Sequence, residues 1–224
     1  MHDSGQRRPD SAEPFGFRDG IADPAMTLTG ALRQMDAGVS RTNPPVFPVE
    51  QVLAPITLTV NGEDRPSAAS YLAYIKFAQD VDAFYAASTA DERAARIGRW
   101  TDGTPYGTTG HGPLPDNDYD FQAPPYDRCP ASAHIRAVNP RDPHGQGRAW
   151  TIARRGVPYE TPESTGLHFM AFMSSIVHQY DKMLEHAMTV NDALLTGDHQ
   201  GHRYVTPLTC GYYLALPKSY FASL

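Results

Sequence analysis

Between Ser70 and Arg99 the apolar pattern changes period, and that change restricts the available folds more than any other feature of the chain. Ser70-Tyr71-Leu72-Ala73-Tyr74-Ile75-Lys76-Phe77 reads as a buried strand. From Gln79 the spacing of Val81, Phe84 and Tyr85 turns helical, and Thr89-Ala90-Asp91-Glu92 resembles a capping box that opens further helix up to Arg99. The same alternation returns in the second half. Ala149 to Arg154 alternates like a strand and Gly166 to Met173 is a second, more apolar one. Ser175 to Met188 then follows a helical period, with Ile176, Tyr180, Met183, Leu184 and Ala187 on one side. Tyr212 to Leu216 closes the series as a strand. Ahead of it all, Ile56 to Val60 is β-branched and meets an Asn61-Gly62 turn signal.

The order β-α-loop-β-β-α-β predicts an α+β fold: a ferredoxin-like (βαββαβ) sandwich, with an antiparallel sheet and helices on one face. With 224 residues, 41% of them hydrophobic, one domain can bury a sizeable core. Residues 1–48, rich in Gly, Pro, Asp and Ser, are expected to form an N-terminal arm, loop apart from the Phe15 to Pro24 motif. Residues 49–224 are expected to form the ferredoxin-like domain. The stretch from 101 to 130 has many Gly, Pro and Asp and no apolar period, and a loop that long inside a compact domain tends to be functional.

A formal charge of −6 argues against nucleic acid or an anionic membrane surface as partner, which leaves small molecules or another protein. The longest apolar stretch, Leu167 to Val177, is interrupted by His168, Ser174 and Ser175 and is too short to span a bilayer. Arg7-Arg8 is followed by Pro, Asp, Ser and Glu and not by an apolar segment, so a cytoplasmic protein is expected. Two cysteines, Cys129 and Cys210, make no disulfide framework or zinc site and are expected to be free thiols.

By itself His134 reads as an ordinary partly buried histidine and Asp19 as a solvated turn residue. Their contexts change that. Phe15-Gly16-Phe17-Arg18-Asp19-Gly20 and Arg128-Cys129-Pro130-Ala131-Ser132-Ala133-His134-Ile135-Arg136-Ala137-Val138-Asn139-Pro140-Arg141 resemble the haem-binding half of the dye-decolorising peroxidases. Further blocks resemble the same family in the same order. They are Ser70 to Phe84, Gly98 to Pro105, Asp116 to Phe121, Arg154 to Tyr159, Gly166 to Phe172 and Val205 to Pro207.

The resemblance implies a haem peroxidase that reduces hydrogen peroxide and oxidises a small organic reductant, dye- or phenol-like, through ferryl intermediates. It implies haem b, non-covalently held, with His134 as the iron ligand; the porphyrin supplies four nitrogens, so one axial imidazole is enough. Asp19 and Arg154 match the family's catalytic pair. The carboxylate can shuttle a proton between the peroxide oxygens, and the guanidinium can stabilise charge on the departing one. Arg141 and Arg136 are candidates to pair with haem propionates, and Phe169 and Phe172 to line the pocket.

The chain also departs from the family's pattern. The family's chains are usually about half as long again, because a related domain precedes the Gly-x-x-Asp-Gly motif. An apolar face left by that domain would be met by another copy or by a separately encoded half, so a homo-oligomer or a hetero-complex is expected. Ala22-Asp23-Pro24 replaces the usual Ser-Gln-Pro, Glu160 replaces a glycine, and His168 interrupts an aliphatic strand. His168 should face away from Leu167 and Phe169, at an interface or as a second candidate near haem. Two other functions stand beside the peroxidase: a specialised biosynthetic haem oxidoreductase of the same superfamily, and a non-catalytic haem-binding or scaffold subunit.

Overall fold

The structure, a computed structural model, describes residues 12–19, 25–28, 31–32, 46–47, 49–86, 88–108, 119–141, 150–197 and 201–217. The arm expected over residues 1–48 is not wholly loop. It contributes three short strands, β1 (Ala25–Leu28), β2 (Ala31–Leu32) and β3 (Val46–Phe47), in a small sheet of their own. Segments of two to four residues are too short for a side-chain period to announce them.

After a single turn, α1 (Val49–Val52), come β4 (Ala54–Val60) and β5 (Glu63–Gln79). They join through Asn61 and Gly62, whose φ of 54° and 81° give the two left-handed positions that a tight hairpin of this twist demands. Next are α2 (Val81–Ala86) and α3 (Ala90–Ile97). α3 opens with the expected capping box: Glu92 N donates to Thr89 Oγ1 at 3.3 Å, and Thr89 N donates to Glu92 Oε2 at 2.7 Å.

α4 (His134–Val138) was not legible as a helix, since five residues give no period. β6 (Ala153–Glu160), β7 (Thr165–Met173), a π-helical turn over Ile176–Asp181, α5 (Lys182–Thr189) and β8 (Val205–Ala215) complete the series. Two strand boundaries differ from expectation. The strand expected over 149–154 starts only at Ala153, because Trp150 and Ile152 pack into the helix-side core. β8 begins well before Tyr212; its Pro207 and Gly211 disguise it, and an edge strand tolerates both.

All ladders of the main sheet are antiparallel, in the order β4-β5-β7-β6 with β8 on the remaining side of β5. Setting β4 aside, β8-β5-β7-β6 is the strand order of the ferredoxin-like fold. Register sorts the side chains into two faces. Arg154 pairs with Ala171, and Phe169 with Ile75, so Arg154, Phe169, Ala171 and Met173 share a face with Ala73 and Ile75. That face is covered by Val138 of α4, Tyr180 of the π turn, and Met183 and Leu184 of α5. Phe172, Met170 and His168 point to the other face, where Phe172 packs on Val52 and Ala153.

A second apolar cluster joins the N-terminal motif to the domain. Phe15 and Phe17 are buried with Phe84, Leu194 and Tyr204. Both cysteines are free, Cys129 buried and Cys210 exposed.

Candidate functional site

His134 is the first residue of α4, at the end of a tight turn in which Ala133 N donates to Pro130 O at 3.0 Å. Ala133, Ala137 and, on α5, Ala187 are fully buried, and these small residues let α4 approach α5 closely. The helix pair also brings His134 to the turn that follows α5. There His134 Nδ1 lies 2.9 Å from Asp192 Oδ2, a carboxylate with 0% exposure, while 32% of the imidazole remains exposed. The other carboxylate oxygen accepts from Leu194 N at 2.9 Å and Leu195 N at 3.1 Å.

Burial pushes the Asp192 carboxyl up, but the His134 ring beside it and the two backbone N–H groups outweigh that and hold it below its ordinary value. An ionised acceptor holds a proton on Nδ1, which leaves Nε2 as the ring nitrogen available to a metal. This is the geometry of a metal-ligating histidine whose other nitrogen is anchored. Asp192 was missed by sequence reasoning. The Asn191-Asp192 step after an amphipathic helix was the available signal, and it reads equally as an ordinary turn.

Across the same face, β6 presents Arg154. Nearby, Arg99 is buried, with Nη1 donating to Gly103 O at 2.8 Å. Its pKa falls to about 10, first through burial and then through the charges of Arg141 and Arg154, with Tyr119 and Cys129 opposing. Three guanidinium groups therefore sense one another. Arg141 lies over the rings of Tyr119, at 4.1 Å, and Phe121, at 5.0 Å, and its Nη1 is buried without a hydrogen-bond acceptor. A buried, unanswered cationic donor beside two further guanidinium groups suits an acidic ligand. Arg136 is used differently: it donates to Cys129 O and lies over Phe121, which fastens the loop ahead of α4.

Asp19 ends the described part of the N-terminal motif. Phe15 and Phe17 bury its loop, and Arg18 N donates to Thr101 O at 3.0 Å, fastening it to the long connection after α3. Gly16 has a φ of 82°, and a Cβ there would meet Tyr85 Oη at 2.6 Å, so this position of the motif requires glycine. Gly20 and the Ala22-Asp23-Pro24 departure lie outside the described residues, as does the first half of the Asp116 to Phe121 block.

The sheet register separates the remaining candidates. Phe169 shares the face of Arg154 and of the helix bearing His134, whereas Phe172, an odd number of residues further along the strand, is on the opposite face. His168 faces away from Leu167 and Phe169, as alternation requires. Its Nδ1 is 2.8 Å from Tyr74 Oη and its ring lies against Tyr159, which removes it from the His134 side. Among the described residues no group of three or more His, Cys, Asp or Glu stands ready for a bare ion. One anchored imidazole with the unanswered Nη1 of Arg141 fits a different donor set, that of a metal macrocycle carrying acidic groups.

The model of the family described as Dyp-type peroxidase, C-terminal, matches residues 42–220. The multifunctional dye peroxidase DyP2 of Amycolatopsis sp. is 29% identical over 212 residues, covering 77% of this chain and 45% of that protein. Peroxidase 2 of Mycetinis scorodonius is 32% identical over 226 residues, covering 77% and 41%. The chain thus spans less than half the length of these curated relatives. Among solved structures, a variant of Rhodococcus jostii DypB in complex with heme superposes with a TM-score of 0.56 at 16% identity, covering 97% of this chain and 56% of that one, a likeness of fold. With the family model matched across most of its length, this chain belongs to the Dyp-type peroxidase family, in its C-terminal part.

Proposed function

We propose that this chain carries the haem site of a DyP-type peroxidase, which reduces hydrogen peroxide and oxidises a small organic reductant. The observation that carries the reading is the His134–Asp192 pair, an imidazole anchored through Nδ1 by a fully buried carboxylate and itself partly exposed. The residues fit haem b: His134 would hold the iron, Arg141 would take a propionate through its unanswered Nη1, and Phe169, on the face of Arg154, would line the pocket. When bound, the haem supplies the iron that takes up the two oxidising equivalents of peroxide and passes them to the reductant.

The chain's own groups do the rest. Asp192 keeps the Nδ1 proton and lends the imidazole anionic character, which strengthens Nε2 as a donor. Arg154, on the sheet face that α4 covers, stabilises negative charge on the departing peroxide oxygen. Asp19 takes a proton from one peroxide oxygen and returns it to the other. Arg136, held by Cys129 O, serves this site by fixing the loop before α4.

The test is the absorption spectrum of the chain purified with haem supplied, before and after stoichiometric peroxide. A Soret band that shifts on peroxide and returns on addition of a phenol supports the reading. A band indifferent to peroxide would leave a haem-binding subunit without turnover.

We also propose that a second copy docks along β8. Among the described residues this strand pairs only with β5; it carries no charged residue and exposes Leu208, Tyr212, Tyr213 and Leu214. Natural edge strands usually guard themselves with charge, and an uncharged one meets no like charge in an antiparallel copy of itself. A dimer in solution that Tyr213→Lys converts to monomer is the expected result; a wild-type monomer at micromolar concentration overturns it. No helix among the described residues is long and apolar enough to cross a membrane. The two free thiols support the cytoplasm as the proposed compartment.

A further inference from the structure

Glu13 has no part in the chemistry above, yet three hydrogen bonds converge on its carboxylate. Its Oε2 accepts from Phe15 N at 3.0 Å and from Gln79 Nε2 at 2.9 Å, and its Oε1 accepts from Phe17 N at 3.1 Å. Its backbone closes the same turn: Gly16 N donates to Glu13 O at 2.8 Å, and Glu13 N donates to Phe17 O at 2.9 Å. Gln79 is the last residue of β5, the central strand of the sheet. The carboxylate therefore ties a turn of the loop to the rigid centre of the fold, two residues ahead of Asp19.

We infer that Glu13 is the positioning residue for Asp19, clamping the Phe15–Phe17 turn to the end of β5 and so fixing where the candidate proton acceptor is presented. Apolar burial of Phe15 and Phe17 holds the loop down but does not orient it, since two aromatic rings in a cluster leave the backbone free to rock. Three directional bonds to one carboxylate remove that freedom. The arrangement also brings two acids into one region. Burial pushes the Glu13 carboxyl up, the bonds from Gln79, Phe15 and Phe17 pull it back, and the charge of Asp19 raises it again. The other groups that approach are the neutral amide of Gln79 from β5 and the Tyr85 hydroxyl from α2, which donates to Phe15 O at 2.9 Å. Arg18, further along the loop, turns its backbone N–H to Thr101 O. The clamp and the acceptor are thus close enough for the charge of Asp19 to act on Glu13.

This inference rests on the reading of Asp19 as proton acceptor, so its test uses readouts that do not depend on it. In wild-type protein, the ¹³C carboxyl resonance of Asp19 should show a second inflection where Glu13 titrates, and Glu13→Gln should abolish it. Glu13→Ala should speed hydrogen exchange of the Phe15 and Phe17 amides at least about tenfold while leaving amides of β5 and β7 unchanged. Gln79→Leu should do the same more weakly. In haem-loaded protein, Glu13→Ala should slow the reaction with peroxide about tenfold with an unchanged resting Soret band, and Glu13→Gln, which keeps one acceptor oxygen, should recover most of that loss. Unchanged Phe15 and Phe17 exchange in Glu13→Ala, or a single Asp19 inflection in wild type, overturns the proposal; the wild-type titration decides even where a variant fails to fold. Should Asp19→Asn react with peroxide as fast as wild type, the role given to Asp19 fails, and exchange and titration still report on the clamp.

Discussion

The two sides of the proposed haem site are built by different means. On the His134 side, position comes from closely packed backbone: small residues at Ala133, Ala137 and Ala187 bring α4 onto α5, and one buried carboxylate takes three hydrogen bonds. On the Asp19 and Arg154 side it comes from long side chains and a loop, with Arg154 projecting from a sheet edge and Asp19 from a turn held by Phe15, Phe17 and Glu13. A ligand to a metal must stay in one place. Groups that move protons and stabilise transient charge need reach, and the contrast suggests that the two sides will fail differently when altered: the first by losing the cofactor, the second by losing the reaction.

His134→Ala is the sharpest test of that contrast. It should abolish the normal Soret spectrum, with haem lost on gel filtration; a retained, unchanged spectrum would move the ligand elsewhere and dissolve the distinction. Arg154→Leu should keep the haem and slow the peroxide reaction by about 10² to 10³-fold, measured by stopped flow. Equal rates in variant and wild type would take Arg154 out of the mechanism. Asp192→Asn should lie between the two, weakening haem affinity by about 10- to 100-fold, because the imidazole loses its anionic anchor while Nε2 stays in place.

Asp192 also carries a pH signature. Its folded-state value lies below the ordinary 3.8, so its contribution to stability is complete above that value. It disappears as pH falls through the lower, folded value. Wild type and Asp192→Asn should therefore differ in urea stability at neutral pH and converge only in strong acid. Convergence already near pH 6 would show that the carboxylate is not held ionised by His134.

How much of this was legible in the sequence follows from the same contrast. The sheet and its helices were readable because long periodic segments such as Ser70–Phe77 and Gly166–Met173 announce themselves. His134, Asp19 and Arg154 enter the proposed site through motif resemblance alone. Asp192 was not readable, since its role depends on a turn 58 residues from His134 in sequence being brought to hydrogen-bond distance. Arg99 failed for a similar reason: its neighbours Arg141 and Arg154 come from two other parts of the chain. Phe172 was misplaced by proximity in sequence to Phe169. A three-residue step along a strand reverses the face, which a motif read as a string does not convey.

The smallest expected effect tests that last correction. Phe169→Leu and Phe172→Leu remove similar volume from the same strand, three residues apart, yet they should separate completely in their readouts. Phe172 packs on Val52 and Ala153, so its truncation should cost about 1 kcal/mol of stability and leave the haem spectrum and the peroxide rate at wild-type values. Phe169 lies on the side of Arg154 and α4, so its truncation should shift the Soret band or the peroxide rate at a comparable cost in stability. The argument turns on register alone: Ala171 opposite Arg154 and Phe172 opposite Ala153 are consecutive pairs of one ladder, and a strand cannot direct neighbours the same way. A spectral response to Phe172→Leu equal to that of Phe169→Leu would mean that the haem reaches past the sheet. The assignment of the two faces to two different tasks would then have to be given up.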